Sequence, residues 1–267
     1  MKNLLVIPAR FQSSRFPGKP LVPIRGPDGK KISLIERTWR LAQKIKSIEK
    51  KVIATDDLRI KDFCERFGAE VCITSDRLRN GSERVAEALI LQKEKYDLVV
   101  NLQGDAPLTP SWVIEDLVKE LESSDYQVAT PIIKCDKAGL SNLLRDRKAG
   151  RVGATTVVFD NKGRALYFSK EVIPFTNAKE IKEKQKLVYH HIGVYAYKAV
   201  ALKAYLNLSP SHLEKQEGLE QLRFIENCIP VKCVISSLKG KDFWELNNPN
   251  DVEIIEKILR NNQSVKN

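Results

Sequence analysis

The sequence predicts an α/β fold, in which a mostly parallel β-sheet is flanked by helices and carries an inserted β-hairpin lobe. In the first half of the chain, short apolar segments alternate with segments of helical pattern about 10–15 residues long, as in βαβ units. After about Pro131 the pattern changes to that of a hairpin with a glycine in its turn. The 267 residues suffice for one domain with a large core, so we expect a single domain with a hairpin or dimerisation lobe near residues 132–198.

Apolar runs and capping residues define the elements of the first half. Ser33 and Glu36 have the spacing of a capping box, and Gly68 is a typical helix end. The predicted strands are Asn3–Pro8, Lys51–Thr55, Glu70–Thr74 and Asp97–Leu102. The predicted helices are Ser33–Ile45, Asp57–Phe67, Ser82–Lys95 and one that begins at Thr109-Pro110. Because ligands bind beyond the carboxyl ends of strands in such sheets, the polar loops there are the expected site.

The second half is predicted to begin with a hairpin and to end with a helix. Its strands are Thr155–Asp160 and Arg164–Ser169, joined by Asn161-Lys162-Gly163, followed by Val188–Tyr197 and Val231–Ser236. Its helices lie near Ala199–Leu206 and Gln216–Asn227, and a last one opens at Asn248-Pro249. We expect the hairpin region to add a lobe or a surface for oligomerisation.

Composition and charge narrow the class of protein. The net charge is +11, but Lys and Arg alternate with Asp and Glu without a long basic run. Nucleic acid is therefore not the expected partner, although binding of nucleic acid stays a lesser alternative until the excess charge is placed on a face or in a pocket. No apolar run is long enough to cross a membrane, and the N-terminus does not have the pattern of a signal peptide. Five scattered cysteines without a CxxC pair favour reduced thiols in the cytoplasm and no zinc site.

A cationic loop follows the first predicted strand. The loop runs from Pro8 to Pro20 and carries three cations and two hydroxyls, which are Arg10, Ser13, Ser14, Arg15 and Lys19. Arginine forks and a lysine ammonium suit a ligand with several phosphates. The loop is not a Walker loop, because Pro20 follows Lys19 where a Ser or Thr is required. A solvated basic loop is the alternative interpretation.

Asp105 directly follows the fourth predicted strand, in the segment Asn101-Leu102-Gln103-Gly104-Asp105. A carboxylate on rigid support at a strand end is typical of a Mg²⁺ ligand in α/β nucleotide enzymes. A plain Gly-Asp turn would explain the same three residues. The cationic loop nearby favours the metal interpretation.

The segment Gly81-Ser82-Glu83-Arg84 opens a predicted helix. Free N–H groups at a helix N-terminus favour anions or the polar edge of a base. Because Ser82 would also serve as an ordinary helix cap, binding and capping are equally good explanations.

Seven motifs in order resemble the 3-deoxy-manno-octulosonate (Kdo) cytidylyltransferase family. They are Pro8–Pro20, Ala54-Thr55-Asp56, Gly81–Arg84 with Ala86-Glu87, Asn101–Asp105 with Pro107, Ala165–Ser169, His191–Tyr195 and Leu219–Arg223. Each motif alone is weak, but their order along nearly the whole chain is specific. The resemblance implies a Rossmann-like α/β nucleotidyltransferase, a homodimer, that uses CTP and Mg²⁺ to activate an acidic sugar for lipopolysaccharide synthesis.

The resemblance also implies roles for individual residues. The implied catalytic residues are Arg15, Lys19 and Asp105, and the implied nucleotide-binding residues are Arg10, Ser13, Ser14, Gly81, Ser82 and Arg84. The implied acceptor-binding residues are Gln103, Lys170, His191, Tyr195, Glu220 and Gln221, and the implied metal ligands are Asp105 and Asn247. His191 and Tyr195 could instead be core residues of a strand, and Glu220 could form a surface pair with Arg223.

The chain departs from the family pattern at four places. Asn247 stands where the family has an aspartate that is a second metal ligand, which keeps an oxygen but loses the charge. Lys170 replaces an arginine, Ala106 replaces a glutamate, and Thr156 replaces a lysine. Lys170 and Thr156 weaken the cationic side expected to face the acceptor, and Asn247 weakens the metal site; together they favour a related acceptor, such as the 8-amino analogue of Kdo, or a reduced activity.

The implied reaction needs few special side chains. The anomeric hydroxyl of the acceptor attacks the α-phosphorus of CTP and pyrophosphate leaves, so positioning and charge neutralisation supply most of the catalysis. Two alternatives remain at this point. One is transfer of CMP to a sialic acid, another acidic sugar or a phosphonate; the other is a catalytically silent binding protein on the same fold.

Overall fold

The structure, a computed structural model, describes residues 1–12, 16–150, 154–176 and 187–264. The strands are β1 (Asn3–Ala9), β2 (Pro23–Arg25), β3 (Lys31–Ser33), β4 (Lys50–Thr55), β5 (Val71–Ile73), β6 (Leu98–Leu102), β7 (Val128–Lys134), β8 (Thr155–Phe159), β9 (Ala165–Ser169), β10 (Tyr189–His191), β11 (Val194–Lys198) and β12 (Val231–Ile235). The helices are α1 (Leu34–Ala42), α2 (Leu58–Glu65), α3 (Gly81–Ile90), α4 (Ser111–Ser123), α5 (Lys137–Lys148), α6 (Ala199–Asn207), α7 (His212–Glu217), α8 (Leu222–Glu226) and α9 (Asp251–Ser264).

The main sheet confirms the predicted α/β fold. Its strand order is β5-β4-β1-β6-β11-β7-β10-β8-β9, and β12 pairs with β7 outside this path. The four strands of the first half pair in parallel, as do β7 and β12, whereas β8 to β11 are antiparallel to their neighbours. The strands β2 and β3 form a separate antiparallel ribbon.

Strand β1 lies at the centre of two hydrophobic layers. All seven of its residues are buried. Because side chains alternate across a strand, Leu4 and Val6 face the core beneath α3 and α6, while Leu5 and Ile7 face the core beneath α1 and α4. The apolar run of the sequence is thus a strand covered on both faces, as expected of a parallel sheet.

The predicted strand Val188–Tyr197 is wrong as one element, because the chain breaks it at Ile192 and Gly193. Before the break β10 pairs with β7 and β8, and after it β11 pairs with β6 and with the other end of β7. The Val194 N–H donates to the Ile192 carbonyl at 2.7 Å across the break. Because of the break, β10 and β11 pair with two different parts of the same edge of β7.

The predicted helix Gln216–Asn227 is also wrong as one element, since it is the two short helices α7 and α8. Gly218 ends α7 in the left-handed conformation, with φ of +63°. This conformation suits glycine, which has no Cβ to clash. Residues 218–221 therefore form a loop between α7 and α8.

Smaller corrections concern helix ends and missed elements. Helix α3 ends at Ile90 rather than Lys95, and the N-cap of α4 is Pro110 rather than Thr109. The ribbon β2-β3, strand β7 and helix α5 were not predicted. The predicted hairpin is confirmed as β8 and β9, with Gly163 in its turn at φ of +79°. A dimerisation role for residues 132–198 stays a prediction.

Two expectations from composition meet the structure directly. None of the helices in the described part of the chain is long and apolar enough to cross a membrane. All five cysteines are free thiols, and Cys64, Cys135 and Cys233 are buried.

Candidate active site

Two adjoining cavities open where β1 and β6 end. The larger has a volume of about 560 Å³ and the smaller of about 220 Å³. Four residues line both cavities, and they are Gln103, Asp105, Gly218 and Glu220. The site therefore has room for two ligands that would meet at a shared wall.

The larger cavity is lined by the cationic loop and by the first turn of α3. Arg10 and Lys19 face it from the loop, and Asn80 and Gly81 face it from the helix. A Cβ at Gly81 would lie 2.7 Å from the Gln103 Nε2 atom, so a side chain at this position would displace the Gln103 amide from the cavity wall. The cations of the loop suit a ligand that carries phosphates, whereas the N–H groups of Ser82 and Glu83 in the first turn already donate to Glu220 and Asn80.

Lys19 and Asp105 form an ion pair at the floor of this cavity. The Lys19 Nζ donates to the Asp105 Oδ2 at 2.6 Å, and the two side chains are 16% and 27% exposed. Asp105 lies just after β6, as predicted, and its carboxylate holds the cationic loop in place. Ser13, Ser14 and Arg15 lie outside the described residues.

Arg84 and Ser82 contribute less directly than their motif indicates. The Arg84 guanidinium is 4% exposed and donates to the Asp56 Oδ2 at 3.0 Å and to the Thr74 Oγ1 at 2.5 Å. The Ser82 hydroxyl lies in the core against the Tyr197 hydroxyl at 2.8 Å. Arg84 thus lines the larger cavity, but its guanidinium is already hydrogen-bonded to protein groups. The Ser82 side chain packs behind the cavity wall and does not face a ligand.

The smaller cavity collects the residues implied to hold the acceptor. The structure brings together Gln103, His191, Tyr195, Glu220 and Gln221 there, as the resemblance implies, along with His190, Thr155 and Glu245, which sequence reasoning missed. Lys170 is not one of the lining residues; its backbone N–H donates to the Glu217 Oε2 at 2.9 Å. Its ammonium lies beside Gly218, 2.9 Å from where a Cβ would be.

Glu220 links the two cavities. Its Oε2 accepts from the Ser82 backbone N–H at 3.0 Å, and its Oε1 accepts from the Gln103 Nε2 at 3.4 Å. Burial raises the pKa of Glu220, and the Ser82 N–H opposes that shift. The alternative in which Glu220 pairs with Arg223 at the surface is wrong, because Arg223 has other partners.

Arg223 is fully buried and binds two carboxylates. Its guanidinium donates to both oxygens of Glu214 at 2.6 and 2.7 Å and to the Glu83 Oε1 at 3.0 Å. It also stacks over the Tyr205 ring at 4.1 Å. The cluster joins α3, α7 and α8, so it fixes the helix N-terminus that lines the larger cavity.

Glu245 is the acidic residue of the site that the sequence did not reveal. It follows β12 in the chain and lines the smaller cavity together with Asp105. Burial and the neighbouring Asp105 charge raise the pKa of Glu245 to about 7, while the Gly193 N–H, Lys19 and Asn247 act in the opposite direction. Only its closeness in sequence to Asn247 could have signalled it.

Comparisons with known proteins agree with this arrangement. Residues 4–231 match the model of the family described as Cytidylyltransferase. The 3-deoxy-manno-octulosonate cytidylyltransferase of Maricaulis maris is 39% identical over 260 residues, covering 97% of each chain. The chain belongs to the cytidylyltransferase family.

Two more similarities cover almost the whole length of this cytidylyltransferase. The 8-amino-3,8-dideoxy-manno-octulosonate cytidylyltransferase of Shewanella pealeana is 38% identical over 260 residues, covering 96% of this chain and 98% of that one. A solved structure of CMP:2-keto-3-deoxy-manno-octonic acid synthetase complexed with CTP superposes with a TM-score of 0.81 at 28% identity. That match covers 98% of this chain and 100% of the other.

Asn247, the second implied metal ligand of this cytidylyltransferase, lies beside the smaller cavity rather than in its lining. Its backbone N–H donates to the Asp251 Oδ2 at 2.8 Å, and its side chain hydrogen-bonds Glu245. The Leu246 N–H between them donates to the Asp105 carbonyl at 2.9 Å. The segment is thus held against Asp105 with Glu245, not Asn247, facing the cavity.

His191 is neutral inside the protein. It is 6% exposed, and its Nε2 lies 2.9 Å from the Thr130 Oγ1. Burial, with a small contribution from His190, lowers the pKa of His191 to about 3. A neutral imidazole can form a hydrogen bond with a ligand, but it cannot neutralise the negative charge of a ligand carboxylate.

We expect His191 to destabilise the protein as the pH drops below about 6.5, the pKa of an unfolded histidine, whereas protonation of Glu245 acts in the opposite direction because its folded pKa is raised to about 7. Because the folded pKa of His191 is lowered to about 3, the unfolded state binds a proton that the folded state does not. The loss from this residue is about 2 kcal/mol at pH 5, at about 1.36 kcal/mol per pH unit. Urea unfolding at pH 7.5 and 5 measures it.

The matched variants are His191→Gln, which removes the titrating group, and His212→Gln, which removes an exposed one. His191→Gln should remove about 2 kcal/mol of the loss between the two pH values, while the contribution of His190 remains, and His212→Gln should show the same pH dependence as wild type. An equal decline in wild type and His191→Gln would show that His191 is protonated in the folded state.

Proposed function

We propose that this cytidylyltransferase transfers CMP from CTP to the anomeric hydroxyl of Kdo or a close analogue, releasing pyrophosphate. The observation that carries the proposal is the pair of cavities with a common wall at Gln103, Asp105, Gly218 and Glu220. Two substrates bound there would meet beside one strand-end carboxylate. The Maricaulis maris relative and the CTP complex of the octonic acid synthetase support the same pair of substrates.

The chain's own residues supply positioning and charge. Arg10 and Lys19 line the larger cavity, where they would neutralise the phosphates of CTP. Gly81 lies in the first turn of α3 at the wall of the larger cavity, where the absence of a side chain leaves room for Gln103. The smaller cavity orients the acceptor, so that its hydroxyl forms a bond to the α-phosphorus as the bond to pyrophosphate breaks.

We propose Mg²⁺ as the metal of this site. The residues fit it, because the Lys19 ammonium already occupies the position of a cation at 2.6 Å from Asp105, and carboxylate oxygens are the ligands that Mg²⁺ prefers. Asp105 would hold the ion in the shared wall. Bound Mg²⁺ supplies charge neutralisation of the phosphate oxygens during transfer.

The acceptor is expected to be the 8-amino analogue at least as readily as Kdo. The lining of the smaller cavity contains Asp105, Glu220 and Glu245 but, over the described residues, no lysine or arginine. His190 and His191 are neutral there, because burial lowers the pKa of His190 to about 4 and of His191 to about 3. An acceptor with its own amine suits carboxylates, and the Shewanella pealeana relative is named for such a sugar.

Pyrophosphate release with CTP and Mg²⁺ tests both statements. The acceptors are Kdo, the 8-amino analogue, a sialic acid and a simple phosphonate, each at saturating CTP. We expect kcat/KM for the 8-amino analogue to equal or exceed that for Kdo. A clear preference for Kdo would contradict the argument from the amine alone, whereas turnover only with the sialic acid or the phosphonate would contradict the proposed acceptor.

A catalytically silent binding protein is the competing function. The ion pair of Lys19 and Asp105 counts against that alternative, because it places a cation and a strand-end carboxylate at the wall shared by the two cavities, as the proposed transfer requires. Absence of pyrophosphate release with every acceptor, despite CTP binding, would favour it.

For its setting, we propose a homodimer in the cytoplasm that serves lipopolysaccharide synthesis, with CTP and an acidic sugar as its partners. The support is the family resemblance and, for the dimer, Leu166 on the edge strand β9, whose side chain is 49% exposed. Sedimentation equilibrium of wild type and of a Leu166→Glu variant tests the dimer.

A further inference from the structure

Three carboxylates surround the smaller cavity, and they differ in their partners. Glu220 uses both oxygens in hydrogen bonds to Ser82 and Gln103, and Asp105 has the Lys19 ammonium. Glu245 accepts from two neutral donors, the Gly193 N–H and the Asn247 side chain, and the Lys19 charge acts on it without a direct ion pair. Among the ion pairs of the described residues none includes Glu245.

A backbone contact holds Glu245 and Asp105 beside the same cavity, the smaller one. The Leu246 N–H donates to the Asp105 carbonyl at 2.9 Å, which fixes the residue after Glu245 against the residue at the end of β6. The Glu245 Oε1 lies 3.4 Å from where a Cβ of Gly193 would be, so glycine leaves room for the carboxylate beside the break between β10 and β11. Two like charges therefore share one cavity wall.

An unsatisfied amide in the same cavity indicates that a ligand belongs there. Gln221 is 2% exposed and lines the cavity, and its Nε2 has no hydrogen-bond partner. A buried N–H group without a partner is rare and implies an acceptor oxygen that arrives with a ligand. The two carboxylates thus face a ligand-binding space rather than solvent alone.

We propose that Glu245 is the second carboxylate that holds the divalent cation, opposite Asp105. Mg²⁺ accepts hard oxygen ligands, and a divalent cation between the two carboxylates would offset the repulsion between their charges. The proposal rests on the proposed function for the identity of the metal. It gives Lys19 a second position, because an ion bound to Asp105 displaces the ammonium toward the phosphates in the larger cavity. It makes Asn247 a positioning residue, whose amide orients Glu245.

Direct metal binding tests the proposal without any turnover. Mn²⁺ replaces Mg²⁺ as the probe, and its free concentration is measured by electron paramagnetic resonance on the purified chain without nucleotide. The variants are Glu245→Gln, Glu245→Asp and Asn247→Asp, with Glu253→Gln as the exposed control on α9. Far-ultraviolet circular dichroism and melting temperature establish that each variant is folded.

The expected results separate Glu245 from its neighbours. Glu245→Gln should weaken Mn²⁺ binding about 10-fold or more, Glu245→Asp should retain part of it, and Glu253→Gln should bind as wild type does. Asn247→Asp should bring no gain, because its side chain meets Glu245 rather than the ion. Equal Mn²⁺ affinity in wild type and Glu245→Gln, stronger binding in Asn247→Asp alone, or no Mn²⁺ binding by wild type overturns the proposal.

The same variants keep this inference distinct from the proposed function. If wild type binds Mn²⁺ through Glu245 but transfers no CMP to any sugar acid, the metal assignment stands and the proposed reaction fails. If wild type is an active transferase and Glu245→Gln binds Mn²⁺ normally, the reaction stands and Glu245 is not a metal ligand.

Discussion

Replacing Asp105 with alanine is expected to lower the rate of pyrophosphate release about 100-fold or more. Asp105 lines both cavities and contacts the Lys19 ammonium at 2.6 Å, so its loss removes a negative charge from the wall that the two cavities share. The fold should persist, because the side chain is 27% exposed and its ion pair lies at a cavity rather than in the core.

Steady-state kinetics with CTP, Mg²⁺ and the better acceptor measure the effect, and urea unfolding measures stability. Asp116→Ala, an exposed substitution on α4, is the matched control and should leave both quantities unchanged. Asp105→Asn keeps the shape without the charge and should be nearly as inactive as the alanine variant. If Asp105→Ala retains most of the wild-type rate, Asp105 is not in the reacting centre.

Replacing Arg223 with methionine is expected to lower the free energy of unfolding by about 3–5 kcal/mol. The guanidinium is fully buried between Glu214 and Glu83, so its loss would leave Glu214 in the interior without its cation and Glu83 with Arg79 alone. Loss of the stacking on Tyr205 adds to the effect. Because the cluster joins α3 to α7 and α8, the variant should also bind CTP more weakly.

Urea unfolding at pH 7.5 measures the loss, with Arg59→Met as the control. Arg59 is exposed and pairs with Asp57 at the surface, so its replacement should change stability by less than about 1 kcal/mol. Arg223→Lys should lie between the two, since an ammonium cannot bind both oxygens of Glu214 side by side. A loss below about 1 kcal/mol for Arg223→Met would contradict this prediction, and it would mean that Glu83 and Glu214 become hydrated or protonated in the variant.

The sequence predicted the elements whose apolar pattern is local. The predicted strand Asn3–Pro8 corresponds to β1. A short apolar run that is buried on both faces is typical of a central strand in a parallel sheet. The sequence did not predict β7, since Pro131 in the middle of Val128–Lys134 removes a donor and argues against a strand. Nor did it predict the break at Gly193, because that break depends on two pairing partners that are distant in sequence.

The sequence predicted those parts of the site that are formed by motifs directly following strands. Lys19 and Asp105 meet as expected because each follows a parallel strand, and such strands end at one edge of the sheet. His191, Tyr195, Glu220 and Gln221 were grouped by resemblance, and they share the smaller cavity. Glu245 was missed because only the long-range contact of Leu246 with Asp105 brings its segment to the site.

The pairing of β7 with β12 bears on how the chain folds as it is synthesised. The parallel strands β1, β4, β5 and β6, which support much of the larger cavity, are complete once residue 102 has left the ribosome. Strand β7 gains its parallel partner only when residues 231–235 emerge, and the wall that carries Glu245 follows later still. The nascent chain can therefore form the strands beneath the larger cavity first, whereas residues 210–223 complete that cavity and Glu245 completes the smaller one only near the end of synthesis.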